Sequence, residues 1–352
     1  MKLILSGLFC GQRGLWELDV LDVHFFDSLK DLPDEDGFFV LSYDLSSETL
    51  GLRLKSSSLP AIVFVKVGQV KRWMGTEGSY KLRFVGSSLS REEYMHRVLL
   101  IKKHIEDGTV YQLNLTNRFD FEFEGSILSL FWDYYRRQPT PYSFFLDCED
   151  FFVVSGSMEL FLRKRFEKIV SRPIKGTSKD LRSLLESEKD KAENLMITDM
   201  MRNDLGRIAK PGSVKVKRLF RVQRYTTLFQ MYSEVQAETK ACFKDILMAT
   251  FPPASVTGAP KVKAAEVIDT LEPHPRGYYC GCAGFKKGQD FTLCVLIRTA
   301  IGDKDRISYY AGAGIVADSD PQKEWQEVIL KTKAFYSEQA STTRGYTLQP
   351  QF

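Results

Sequence analysis

Residues 111–123 read YQLNLTNRFDFEF. Leu113, Leu115, Phe119, Phe121 and Phe123 all fall on one parity of this stretch, with polar residues between them. A period of two is that of a β-strand, whose side chains alternate between faces. One apolar and one polar face predict an amphipathic strand of an antiparallel sheet. Upstream, residues 86–94 (GSSLSREEY) lead into a helix over 90–107, with Ser90 and Glu93 spaced as a capping box. Further upstream, 37–43 (GFFVLSY) and 61–67 (AIVFVKV) read as strands broken by polar turns. Downstream, 144–155 and 158–165 read as a strand pair joined at Ser-Gly-Ser. A long helix is predicted over 178–201, with Leu181, Leu184, Leu185, Ala192, Leu195 and Met196 on one face. A loop (202–213), two strands (214–219 and 233–239) and a run of strands and tight turns (CGCAGF, IRTA, AGAGIV) follow. The last helix begins after Asp320-Pro321, an N-cap with proline at the first helical position. With no repeat or low-complexity tract, this order predicts a mixed α/β (α+β) fold.

Composition limits the function classes. The chain has 352 residues, 43% hydrophobic and 27% charged, the balance of a globular protein with a sizeable core. Its net charge of +4 comes from 49 basic and 45 acidic residues scattered along the chain, which argues against nucleic acid and membrane surfaces as partners. No stretch approaches the roughly 18 apolar residues that mark a membrane span. The opening MKLILSGLFCGQRG is too short and too soon interrupted for a signal peptide. The six cysteines lack zinc-type spacing and read as buried small hydrophobes in a reducing, cytoplasmic setting; Cys280 and Cys282, in a strand, would share one face.

Two acid pairs stand out. In the last helix Glu324, Glu327 and Lys331 fall within about 60° of one another at about 100° per residue. Trp325, Val328, Ile329, Phe335 and Tyr336 form the adjoining apolar stripe. In the long middle helix Asp190 and Glu193 share a face. Each group by itself reads as an ordinary solvated helix pair. Together, on separate helices, they would make an all-oxygen site for a hard cation such as Mg²⁺. Residues 171–180 (SRPIKGTSKD) place Lys175 at the apex of what reads as a tight turn, three residues after Arg172.

Nine segments in order, GTVYQLNLTNRF, SGSMELFLRK, RPIKGT, AENLMITDMMRNDLG, GSVKV, PPASVTGAPK, PRGYYCGCAGF, IRTA and AGAGIVADSDPQKEWQE, resemble the chorismate-utilising enzymes. This family includes anthranilate synthase component I, aminodeoxychorismate synthase component I and the isochorismate and salicylate synthases. The resemblance covers about 90–340. It implies two stacked antiparallel sheets with helices outside and an active site in the cleft between them. Residues 1–85 would be a shortened N-terminal part of this fold, 86–340 the chorismate-binding core and 341–352 a tail.

The resemblance also implies roles. Glu193 and Glu327 match Mg²⁺ ligands, with Asp190 and Glu324 in a water-bridged outer shell and Lys331 beside them. The ion would hold the ring carboxylate of chorismate and draw electron density from the attacked carbon. Arg298 matches the partner of the enolpyruvyl carboxylate, in a pocket shared with Tyr279 and the backbone of Gly312, Ala313 and Gly314. Thr257, Gly258 and Ala259 match a loop against the ring carboxylate. Glu159 matches the general acid for the departing 4-hydroxyl, and its pKa should be raised by burial. Met158 stands where the family often has proline.

Two positions bear on the reaction. Water-using branches carry a lysine base where this chain has Gln112, which cannot deprotonate water. Anthranilate synthases resemble PIAGT where this chain has PIKGT, the form of aminodeoxychorismate synthases, whose lysine is proposed as a nucleophile. Lys175 would then attack the ring, its pKa depressed by partial burial and by a cation such as Arg172. Gln230 stands where the family has a histidine near the leaving hydroxyl and cannot donate a proton from a cationic form. The family also implies a separate glutamine amidotransferase subunit as the ammonia source, since no Gly-x-Cys-Leu-Gly elbow is present. Too few residues follow 340 for a lyase domain, so pyruvate removal would fall to another enzyme. The alternatives are anthranilate synthase component I and a non-catalytic chorismate-binding relative.

Overall fold

The alternation at residues 111–123 builds a strand spanning Gln112–Gly125, the longest in the protein as described. The structure is a computed structural model describing residues 1–336 except 10, 12, 226, 227 and 334; Cys10 and the tail at 341–352 lie outside the described residues. In chain order the strands are β1 (Lys2–Ser6), β2 (Leu15–Phe26), β3 (Gly37–Leu41), β4 (Ile62–Trp73), β5 (Tyr80–Ser87), β6 (Gln112–Gly125), β7 (Tyr142–Asp147), β8 (Phe152–Ser157), β9 (Leu160–Arg165), β10 (Lys168–Arg172), β11 (Ile174–Ser178), β12 (Lys215–Arg224), β13 (Phe229–Glu238), β14 (Gly258–Ala259), β15 (Cys282–Lys287), β16 (Asp290–Val295), β17 (Thr299–Gly302) and β18 (Arg306–Ile315). The helices are α1 (Ser46–Leu50), α2 (Arg91–Glu106), α3 (Ile127–Arg137), α4 (Leu181–Glu186), α5 (Glu188–Gly206), α6 (Phe243–Thr250), α7 (Lys261–Leu271) and α8 (Pro321–Thr332).

Every described pairing is antiparallel. One sheet runs β5–β6–β18–β17–β8–β7–β1–β2, with β14 added to the start of β6. The second runs β4–β3–β15–β16–β9–β10–β13–β12, with β11 also on β13. Strand β2 belongs to both, and its pairing with β4 shifts register between Leu18 and Val20 and again between Val20 and Asp22. Such bulges bend a strand, here letting the ribbon fold over on itself.

The period of two then sorts the core. Leu3, Leu5, Phe144, Leu146 and Val153 belong to one hydrophobic cluster with Phe38, Val40, Val63 and Val65 of the other sheet. Their neighbours Ile4, Phe145, Phe152 and Val154 face a second cluster with residues of α2, α3 and α8. The sheets are stacked, as Phe38 on Phe144 at 5.2 Å shows directly, and helices cover the outside. The Ser90–Glu93 capping box closes the start of α2, and Asp320 caps α8 with Pro321 behind it.

Five expectations need correction. The helix predicted over 178–201 is two helices, because Ser187 is extended and accepts the N–H of Asp190, capping α5 instead of continuing α4. At the far end α5 continues to Gly206, through residues read as loop. Residues 144–155 are two strands that pair with each other across a turn, while β8 and β9 pair elsewhere. Phe335 and Tyr336 lie beyond the end of α8. Cys280 precedes β15 in a left-handed conformation (φ 67°) and so is not a strand partner of Cys282. Cys148, Cys280, Cys282 and Cys294 are buried and Cys242 is exposed, all with free thiols. Among the described residues no helix is long and apolar enough to cross a membrane.

Candidate active site

The polar face of β6 does not meet water at its N-terminal end. Gln112, Asn114 and Thr116 are buried, and with them the strand delivers an amide array to the cleft between the sheets. Lys175 reaches the same place from the other sheet. It lies not at a turn apex but in a bulge of β11, where the register against β13 shifts between Ile174 and Thr177. A bulge re-aims a side chain out of the regular alternation. The Lys175 ammonium donates to Asn114 Oδ1 at 3.1 Å and lies 3.8 Å from Glu193 Oε2. Burial pulls its pKa below the usual lysine range against the opposing pull of Glu193, and the Lys331 ammonium adds to the lowering. Arg172, expected to supply that effect, is instead paired with Glu234 at 2.7 Å.

Helix α5 presents Glu193 to this point. Asn194 ties the helix to both neighbouring strands, donating to the carbonyls of Lys175 and Met231. Glu193 also accepts from Gln112 Nε2 at 3.4 Å. Burial raises the Glu193 pKa, while Lys175 and Lys189 pull it down. Asp190, on the same helix, is likewise raised by burial. From α8, Glu327 pairs with Lys331 at 2.6 Å, and Lys331 also donates to the Gly312 carbonyl at 2.6 Å. Glu327 keeps 48% of its side chain accessible. Burial pushes its pKa up, but Lys331, then Lys175 and Lys189, hold it below the usual range. Glu324, 2% exposed, accepts from the Ser319 hydroxyl at 2.6 Å. Lys189, which the sequence reading did not single out, stands between the helices, 3.1 Å from Glu324 Oε1 and 3.9 Å from Glu193 Oε1.

Glu159 sits between β8 and β9, 3% exposed. Burial lifts its carboxyl to about 7, opposed by hydrogen bonding to Ser255 and the Ile174 backbone and by Lys175. Gln230 is buried on β13 opposite Thr177, and its amide oxygen has no partner among the described residues. The amide oxygen of Gln112 is likewise buried without a partner. Both leave an acceptor for a group that the protein itself does not supply.

The remaining candidates frame the cleft. Asn114 and Thr116 send their N–H groups to Thr257 O and to Glu272, away from β18. Their register partners Gly314 and Gly312 are therefore the non-hydrogen-bonded pairs, and their own N–H groups leave β18 on its free edge. AGAG is thus neither a turn nor a loop. A side chain at Gly314 would place a Cβ 2.7 Å from Lys175 Nζ and 2.8 Å from Gln112 Nε2. Gly314→Ala is expected to leave the fold intact, because the colliding atoms are ends of flexible side chains. Displacing them should lower turnover on the order of 100-fold, with melting temperature as the folding control.

Gly258 and Ala259 form β14 against Leu113 and Gln112; a Cβ on Gly258 would strike the Gln112 carbonyl. Thr257 is fully buried and donates to Pro253 O. Arg298 holds a left-handed conformation (φ 55°), unusual for a residue with a side chain. Its carbonyl is gripped by the Gly156 N–H and the Tyr134 hydroxyl, and its guanidinium donates to Lys331 O at 2.9 Å. Tyr279 is buried and stacks on Tyr310 at 5.2 Å. A groove of about 780 Å³ bounded by Ser57, Arg118, Tyr310 and Arg306 contains none of these candidate residues.

The donor set fits Mg²⁺ in kind, being carboxylate and amide oxygen throughout. Among the described residues no three acidic, histidine or cysteine side chains already converge as a metal cage. The cation shared by Glu193 and Glu324 is the Lys189 ammonium, which marks a point where positive charge is accommodated.

Known proteins share this architecture. Anthranilate synthase component I from Streptococcus pneumoniae superposes with a TM-score of 0.77 at 23% identity, over 95% of this chain and 92% of that one. The menaquinone-specific isochorismate synthase of Escherichia coli gives 0.74 at 19%, over 95% and 88%. Anthranilate synthase component 1 of Aquifex aeolicus is 39% identical over 261 residues, 70% of this chain and 53% of its own length. Aminodeoxychorismate synthase component 1 of Klebsiella aerogenes is 39% identical over 258 residues, 70% of this chain and 57% of its own. The chain thus spans little more than half the length of these two curated relatives. The profile of the family described as chorismate binding enzyme matches residues 61–337, which contain every candidate residue of the cleft. The chain belongs to the family of chorismate binding enzymes.

Proposed function

We propose that the protein is aminodeoxychorismate synthase component I, converting chorismate and ammonia to 4-amino-4-deoxychorismate for 4-aminobenzoate and folate synthesis in the cytoplasm. Lys175 attacks ring carbon C2 as the C4 hydroxyl departs, and Glu159 gives that hydroxyl its proton, so water leaves. Ammonia then enters at C4 and expels the lysine, and the enolpyruvyl group is retained. Arg298 holds the enolpyruvyl carboxylate with Tyr279 and the edge N–H groups of Gly312 and Gly314; Ala313 keeps that edge in register. Thr257, Gly258 and Ala259 flank the ring carboxylate. Glu193 and Glu327 would hold Mg²⁺, with Asp190 and Glu324 behind them. Bound there, the ion would supply a Lewis acid for the ring carboxylate, drawing electron density from the ring. Gln230 accepts a hydrogen bond from the departing hydroxyl and leaves proton donation to Glu159. Ammonia comes from a glutamine amidotransferase subunit, in keeping with the "component 1" names of the relatives.

The observation that carries this reading is the buried Lys175 amine, aimed by a bulge into the cluster containing Asn114, Gln112 and Glu193. The test is product analysis with chorismate, an ammonium salt and Mg²⁺. The expected product yields 4-aminobenzoate only after a lyase is added. Fluorescent anthranilate with pyruvate would identify an anthranilate synthase instead, and chorismate binding without turnover a non-catalytic relative.

A further inference from the structure

Lys189 has no role in the chemistry above, yet its ammonium spans two helices that come from distant parts of the chain. It lies 3.1 Å from Glu324 Oε1 and 3.9 Å from Glu193 Oε1. Both carboxylates are largely buried, Glu324 at 2% and Glu193 at 9% exposure. A buried carboxylate without a counter-charge is strongly destabilising; Glu193 also has Lys175 at 3.8 Å, whereas Lys189 is the cation beside Glu324. The Lys189 side chain is 41% exposed, so its stem has an open path to water. An ammonium on four rotatable carbons is the side chain best suited to move between two positions.

Asp190, Glu193, Glu324 and Glu327 share this cluster with Lys175, Lys189 and Lys331. A divalent cation and the Lys189 ammonium would therefore compete for the same carboxylate oxygens.

We propose that Lys189 is a built-in stand-in for the metal: its ammonium bridges Glu193 and Glu324 in the metal-free protein and is displaced when a divalent cation binds. This rests on the reading of the cluster as a Mg²⁺ site. The lysine keeps α5 and α8 joined while no metal is bound, and it weakens metal affinity by competing for the same oxygens. Binding of the ion is thus an exchange of cations and not the filling of a bare acidic site.

The test is titration of the purified full-length chain, stripped of metal, with Mn²⁺ followed by electron paramagnetic resonance and with Mg²⁺ by calorimetry, both without chorismate. Lys189→Gln is expected to bind either ion about tenfold more tightly than wild type. Lys189→Arg keeps the charge and should stay within about twofold of wild type. Lys191→Gln removes an equal charge from the same helix, where Lys191 pairs with the exposed Glu188, and should change nothing. Metal-free Lys189→Gln should also melt lower than wild type, with a larger rise on adding Mn²⁺. Unchanged or weaker metal affinity in Lys189→Gln, with wild type still binding, overturns the displacement while leaving the metal site standing. Equal tightening in Lys191→Gln would reduce the effect to bulk charge and also overturn it. Absence of binding in wild type and in all three variants overturns the metal reading itself.

Discussion

Replacing Lys175 with alanine is expected to abolish formation of aminodeoxychorismate, or to divert the reaction to anthranilate, with a rate loss on the order of 1,000-fold or more. The expectation follows from position. The amine is buried, its hydrogen-bond acceptor is Asn114, and its ionic partner Glu193 is needed elsewhere once a substrate carboxylate and a cation are present. A lysine held for stability alone would be a poor choice here, since burial works against its charge. Alanine leaves Glu193 with Lys189 as its cation, so the variant should still fold, and its melting temperature separates a chemical role from a structural one. The measurement is product identity by chromatography and fluorescence together with single-turnover rate. Wild-type rate and product in Lys175→Ala would remove the nucleophile from the mechanism.

Glu159 carries the second large effect. As general acid it must hold a proton, and burial places its carboxyl at about 7. kcat/KM should therefore fall tenfold per pH unit above about pH 7. Glu159→Gln should lose roughly 100- to 10,000-fold in kcat and flatten that limb. Stability gives an independent readout. The carboxyl titrates near 4.5 when unperturbed and near 7 in the folded protein. Between those values the folded state holds the extra proton. The stability contributed by the neutral carboxyl is thus complete below about pH 4.5 and is lost as the pH rises through 7. Glutamine has no such loss. Relative to wild type, Glu159→Gln should gain stability between pH 5 and pH 8, by up to about 3 kcal/mol. A wild-type profile flat to pH 9, or a variant whose relative stability does not change with pH, contradicts the assignment.

Much of the local structure was legible from residues alone. Ser90 with Glu93, and Asp320 with Pro321, mark helix starts because capping depends on side chains a few positions apart. The alternation in β6 exposed its strand character for the same reason. The break at Ser187 was hidden because a serine inside an apolar period reads as helix unless its hydroxyl is seen to accept the Asp190 N–H. Arg172 was assigned to Lys175 by sequence proximity, but the bulge in β11 separates them and Glu234, from a neighbouring strand, takes the arginine.

The site divides in the same way. Lys175, Glu159, Glu193 and Glu327 were visible as residue types in recognisable segments. Asn114, Lys189 and the clearance provided by Gly314 were not. Asn114 was one polar member of an alternating strand, and alternation assigns such residues to water. Here Lys175 of β11, Glu193 of α5 and the Ser255 carbonyl meet that end of β6 and turn its polar face into the wall of a cleft. Lys189 sat in a charge run that any solvated helix carries.

The amino-acid sequence by itself determined where α2 and α8 begin, which chemical groups are available and which family they match, since these depend on neighbours a few residues apart. Which ammonium faces which carboxylate was decided only by the tertiary structure. Those pairings join β6, β11, α5, α8 and β18, elements far apart in the chain. Burial sets their charge states, and burial is a property of what packs around a residue and not of the residue itself.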